Sequence, residues 1–287
     1  MRRLFLVGAM LAALLIPAAS ASAAPTGEYA VFSQCPTEKN LFLCIYAKQT
    51  SGSVTTGKKT VPIKNPVTLQ GGVEINETTG KSQFYGAKNG VTLSKTPQPV
   101  PGGLLGVVAP TWWPKFIQDW FNGLINEGFT GVDATVELAR PATEVKVNVN
   151  ALLSGLNEPD LILPVKIKLD NAILGSNCYM GSSTSPIYWN LTVGTTSPPP
   201  PNKPISGTTG EGTANEIGSI LRFKGQRQVD NSFAVPATSG CGGIFSFLVD
   251  PLVSSVVGVP SPAGTNAAIL EGTMETGFAP LVKASEP

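Results

Sequence analysis

The sequence predicts a mainly β protein, an antiparallel β-sandwich or barrel, and three observations carry that prediction. Short runs rich in β-branched and aromatic residues follow one another through most of the chain. Turn-forming residues separate them at close intervals, with 31 glycines and 25 prolines in 287 residues. Helical periodicity stands out in only two places, so a βαβ architecture is not expected.

Taken in order, EYAVFSQ, LFLCIYAK, KKTVPIK, PVTLQGGVEIN and KSQFYGA read as strands in quick succession. VDATVELA and EVKVNVNAL continue the alternation. DLILPVKIKLDNAIL is the clearest case: Leu161, Leu163, Val165, Ile167 and Leu169 share one face, and Lys166, Lys168 and Asp170 the other. Further strands are expected at IYWNLTVG, ISGTTGEG, GSILRFKG and AAILEGTMETG. Alternation does not reveal strand order, so sandwich and barrel both remain open.

The first helix is expected over about 112–127, in PTWWPKFIQDWFNGLINEGF. Thr111 is the expected N-cap, with Pro114 in the first turn. At 100° per residue, Trp112, Trp113, Phe116, Ile117, Trp120, Phe121 and Leu124 fall on one half of the wheel. Only Lys115 supplies positive charge opposite them, against Asp119 and Glu127. A membrane anchor usually carries a basic polar face. The expectation is therefore a helix docked on the β core, with Trp112, Trp113, Phe116 and Trp120 as the candidate docking or binding surface. A short helix over about 250–258 is expected to start at an Asp250 cap with Pro251 first, and to close at Gly258.

The N-terminus has the tripartite pattern of a secretory signal peptide, residues 1–23: Arg2 and Arg3, an apolar run to Ile16, and Ala21-Ser22-Ala23. The apolar run is too short to span a bilayer, which takes about 20 residues. The mature chain, 24–287, is then expected to be a single secreted domain, extracellular or loosely held at the cell surface. The Pro-rich loop at 197–204 offers a possible two-part split. Losing Arg2 and Arg3 takes the 20 basic side chains to 18, against 19 acidic ones. That balance provides no field for nucleic acid, and no membrane-spanning segment follows the signal peptide.

Four cysteines in an exported chain imply two disulfides with three possible connectivities. Local context favours Cys35–Cys44, flanking the TEKN turn, and Cys178–Cys241, enclosing the proline tract. Zinc is the rival reading, but C-x-x-C is absent and the chain has no histidine.

The missing histidine also removes Ser-His-Asp and Cys-His catalysis. The six aspartates are isolated, which argues against calcium loops, and no phosphate-loop spacing occurs. No cofactor or metal is expected. Carboxylate-pair chemistry, as in glycoside hydrolysis, stays possible. Asp170 and Asp230 share an Asp-Asn dipeptide at a strand end, which Asx-type turns explain. The NET and NLT triplets at Asn76 and Asn190 match glycosylation acceptors and read as chance in a bacterial chain.

The phrases GSNCYMGS, TVGTTSPPPPN, ATSGCG and PSPAGTNAAIL, with VPIKNPVTLQGGVEIN upstream, resemble a group of uncharacterised secreted proteins of actinobacteria. The resemblance spans about residues 29–275. It implies export and supports pairing Cys178 with Cys241, since both lie in the recurring phrases. It implies no activity and no site residues.

Three functions follow as expectations. The leading one is a non-catalytic extracellular or cell-envelope module that binds a polymer or another protein. The second is a carrier or interfacial protein that binds an apolar ligand or a membrane through the Trp-rich helix. The third is a carboxylate-dependent glycoside hydrolase.

Overall fold

The computed structural model describes residues 23–76, 78, 81–104, 106, 108–126 and 130–287, with the backbone alone for 124–126. The expected signal peptide lies outside these residues apart from Ala23. So do Glu127 and the side chain of Leu124.

Two antiparallel sheets form a sandwich, not a closed barrel. The first contains β1 (Leu43–Thr56), β2 (Lys59–Pro62), β3 (Val67–Ile75) and β4 (Ser82–Gly86). Later in the chain it gains β11 (Glu211–Ala214), β12 (Ile220–Asp230) and β14 (Ala267–Phe278). Its order is β11-β12-β14-β1-β3-β4, with β2 folded back on the far end of β1. The second sheet contains β5 (Gln98–Pro99), β6 (Asp133–Leu138), β7 (Lys146–Val147), β8 (Leu161–Asp170), β9 (Tyr179–Met180), β10 (Ile187–Leu191) and β13 (Thr238–Ser239). Its spine is β8, paired with β6 and β7 along one edge and with β9 and β10 along the other.

Strand β8 shows why the sheets face as they do. Leu161, Leu163, Val165, Ile167 and Leu169 are all buried, as their period-2 alternation predicts, while Lys166 and Lys168 point away. Together with Ile45, Ala47, Leu69 and Val73 of the first sheet and Leu270 and Met274 of β14, they form one core. A smaller cluster closes one end: Phe32, Cys35, Leu41, Cys44 and Ile220 pack on Ala279 and Val282 of the C-terminal helix α4 (Ala279–Ala284).

Both expected disulfides are present, Cys35–Cys44 and Cys178–Cys241. The Pro-rich loop 197–204 lies within the second covalent loop. It is tied down by Asn202, whose Nδ2 donates to the carbonyls of Asn231 and Asn266 at 2.9 Å.

Four local expectations are corrected. EYAVFSQ is not a strand: residues Gly27–Phe32 make a 3₁₀ helix that buries Phe32 and packs Tyr29 and Val31 against the same apolar cluster. EVKVNVNAL keeps just two strand residues before helix α2 (Val149–Ser154). Asn148 caps that helix by accepting the Ala151 N–H at 3.1 Å. The Trp-rich helix, α1, is Lys115–Asn126 and starts three residues later than expected. Pro114 explains the delay, since a residue before proline is pushed out of helical geometry. Pro114 itself acts as the cap, its carbonyl accepting from Ile117 and Gln118.

The last correction concerns α3, which runs Ser246–Val257, four residues earlier than expected. It holds Pro251 inside and ends at Gly258 in the left-handed conformation (φ 82°). Asp250 is not its cap: the carboxylate accepts the backbone N–H groups of Gly240 and Cys241 instead. That contact holds the loop of the second disulfide against the helix.

Candidate functional site

Between the sheets lies an apolar cavity of about 90 Å³. Its walls come from both sheets, with Ala47, Val54, Leu69, Ala134, Leu163 and Leu270 among them. A second cavity, about 270 Å³, opens beside it under α3. Lys59, Val100, Leu169 and Val257 belong to the walls of both. Together the two volumes fall within the roughly 300–1,000 Å³ usual for small-molecule sites.

An unfilled apolar void costs stability, here about 2 kcal/mol for the inner cavity at roughly 24 cal/mol per Å³. Most of its lining is hydrocarbon, which offers water few partners. The chemistry such a space performs best is to accept an apolar chain.

The polar residues on the walls divide into two groups. Some are fully engaged in holding the fold. Gln98 accepts the N–H groups of Lys64 and Asn65 and donates to the Asn65 carbonyl at 2.7 Å. Gln228 donates to Asp160 Oδ1 at 2.6 Å. Others have polar atoms to spare. The Gln49 amide oxygen and the Trp189 indole nitrogen are buried without a hydrogen-bond partner. Among the described residues Lys59 makes a single hydrogen bond, from Nζ to the Gly106 carbonyl at 3.3 Å. Gly106 adopts φ 68°, and its missing side chain leaves room for that ammonium.

The mouth of the outer cavity is framed by exposed apolar residues. On α3, Val253 is buried, whereas Leu252 (66% exposed) and Val256 line the cavity and also face solvent. Ile244, Phe247 and Leu248 extend this surface. Beside it, Gly103 and Leu104 line the cavity from the segment leading to α1. Asn122 of α1 accepts the Ala109 N–H at 2.9 Å and so fastens the helix to that segment.

The candidate surface on α1 splits in two, which corrects the docked-helix expectation. Trp112, Phe116 and Trp120 are exposed, at 80%, 73% and 67%. Only Trp113 turns inward, with Ile117 and Phe121 half-buried beside it. Trp113 stands edge-on to Phe121 and to Trp112, with ring centroids 5.5 and 6.0 Å away. Among the described residues the helix is fastened to its own flanking segment, and half of its apolar face, Trp112, Phe116 and Trp120, stays exposed. The face is close to electroneutral, its one charged pair being Lys115–Asp119 at 3.1 Å.

The carboxylates that survive as catalytic candidates are spent on structure. Asp160 is fully buried and accepts the Val193 N–H at 2.6 Å as well as the Gln228 amide. Burial pushes its pKa up to about 7, against the lowering effect of those two donors. Asp230 is also raised by burial, while Ser232 and the Asn190 N–H pull it down. Its Oδ1 accepts from Ser232, making the expected Asx-type turn. At the other dipeptide Asn171, not Asp170, makes the turn, by accepting from Ile173 at 2.8 Å. Asp170 instead pairs with Lys168 at 2.6 Å. Neither of the two cavities described has a carboxylate among its wall residues.

Sequence reasoning singled out α1 but missed the cavity, α3 as its roof, and Lys59. A signal for Lys59 was present: in KKTVPIK it shares strand parity with Val61 and Ile63, a charge on an apolar register.

No family model, curated protein or solved structure matches the chain. Among the described residues no helix is long and apolar enough to cross a membrane, and no cluster of side chains suits a metal ion.

Proposed function

We propose that the protein is a secreted, non-catalytic carrier that takes an apolar chain into the cavity between its sheets. The apolar, two-part cavity carries this reading. It favours the carrier over a polymer-binding module. No observation favours a glycoside hydrolase.

The occupant enters beneath α3, where Leu252 and Val256 belong to the cavity wall and the outer surface at once. The same helix and α1 meet a lipid surface, from which the chain is taken or to which it is given. Trp suits that role, because its amphipathic ring settles at the headgroup level, and Phe adds apolar area. With one ion pair and no surplus cation on α1, the contact is hydrophobic and indifferent to anionic lipid.

Native mass spectrometry after incubation with vesicles of a neutral phosphatidylcholine tests the reading. A lipid or acyl chain retained by the protein is the expected result, together with displacement of a bound fluorescent fatty-acid probe. Protein that stays ligand-free under both conditions would overturn it.

A further inference from the structure

We propose that the chain carried in the cavity belongs to an anionic amphiphile, whose carboxylate or phosphate is held by Lys59. The proposal rests on the carrier reading and adds the chemistry of the head group.

Lys59 opens β2 on the register of Val61, which lines the inner cavity. Alternation thus turns a charged side chain toward hydrocarbon. Half-buried cations elsewhere in the described residues do not stand alone. Lys88, Arg140, Lys166, Lys168, Arg222 and Arg227 each have a carboxylate oxygen within 4.0 Å. Lys59 is the exception: no described carboxylate lies within that distance, and its one hydrogen bond goes to a neutral carbonyl at 3.3 Å. An ammonium has three protons to donate. Set against apolar walls, it gains most from a charge of opposite sign.

Its position also suits an amphiphile. Lys59 lies on the wall shared by the two cavities. A head group bound there leaves its hydrocarbon free to fill either the inner space or the outer one beneath α3. Gln98 and Gln228, the other large polar groups nearby, are already committed to backbone and to Asp160.

Binding of palmitate, hexadecyl phosphate and hexadecanol to the full mature chain, measured by displacement of a neutral fluorescent lipid probe, tests this. The three share one hydrocarbon and differ in the head. The expected result is at least tenfold tighter binding of one or both anions than of the alcohol. The better of the two anions identifies carboxylate or phosphate as the natural head group. Lys59→Met and Lys59→Gln, each shown by thermal melting to be folded, should erase that preference, so that the anions bind no tighter than hexadecanol, and Lys59→Arg should restore it. Equal affinity of the wild type for all three, or a preference that survives in Lys59→Met or Lys59→Gln, overturns the head-group proposal and leaves the carrier standing. If the wild type binds none of the three, the carrier reading falls with it.

Discussion

Gln228, a wall residue of the inner cavity, donates its amide Nε2–H to Asp160 Oδ1 at 2.6 Å. The contact joins β12 of one sheet to the residue preceding β8 of the other. The acid is fully buried, and its pKa lies near 7 because burial disfavours the anion.

The first prediction concerns pH. Asp160 binds its proton more tightly folded than unfolded, where the ordinary value of 3.8 applies. Between about pH 4 and 7 the native state therefore holds more protons, and stability falls as pH rises through that window. The penalty is fully present above pH 7 and absent below about 4. Asp230 contributes with the same sign. Asp160→Asn keeps an acceptor for the Val193 N–H, and a rotated Gln228 amide can accept from its new NH₂ group. Denaturant unfolding from pH 4 to 8 should show a flatter stability profile for the variant than for the wild type. An unchanged slope would refute the assignment.

Filling the inner cavity separates stability from capacity. Ala134 on β6 is buried in its wall. Ala134→Leu should raise the unfolding free energy by about 1 kcal/mol, since it returns apolar contacts to a void. It should weaken binding of a fluorescent fatty-acid probe by more than tenfold. Tighter probe binding in the filled variant would contradict an occupant at this position.

The exposed face of α1 should be dispensable for folding and needed at a lipid surface. Trp112→Ser, Phe116→Ser and Trp120→Ser each alter an exposed side chain, so each should change stability by less than about 0.5 kcal/mol. Combined, they should sharply reduce co-flotation with phosphatidylcholine vesicles. Because the contact is apolar, raising the salt concentration to 1 M should not reverse the wild-type binding. Salt-sensitive flotation would point instead to a charge-driven contact.

The disulfides should contribute unequally. Cys35 and Cys44 are 9 residues apart and Cys178 and Cys241 are 63 apart. On the chain-entropy model they restrict the unfolded chain by about 2.5 and 4 kcal/mol respectively. Paired Cys→Ser variants measured by urea unfolding should follow that order. The longer loop has a second reason to matter, because the Cys241 N–H donates to Asp250 of α3, the roof of the outer cavity. Its loss should also lower probe affinity, whereas loss of Cys35–Cys44, in the distal cluster, should not.

What the sequence determined alone was local and periodic. Alternation placed Leu161 to Leu169 on one buried face, because side-chain direction in a strand follows from backbone geometry without any neighbour. The turn residues and the Cys35–Cys44 pairing were legible for the same reason, each depending on a few nearby residues, and Cys178–Cys241 then follows as the remaining pair. Tertiary structure decided how the faces met. A helical wheel shows which side of α1 is apolar but not what covers it, so Trp112, Phe116 and Trp120 read as a candidate docking or binding surface and lie in solvent. Helix α3 starts four residues before its sequence reading, so Pro251, expected as its first residue, lies inside it, and of the added turn Val249 reaches the outer cavity. The cavity itself appears in no single segment. It is the space left where two sheets of fixed face chemistry pack without filling the gap, and Lys59 acquires its meaning only from standing on that wall.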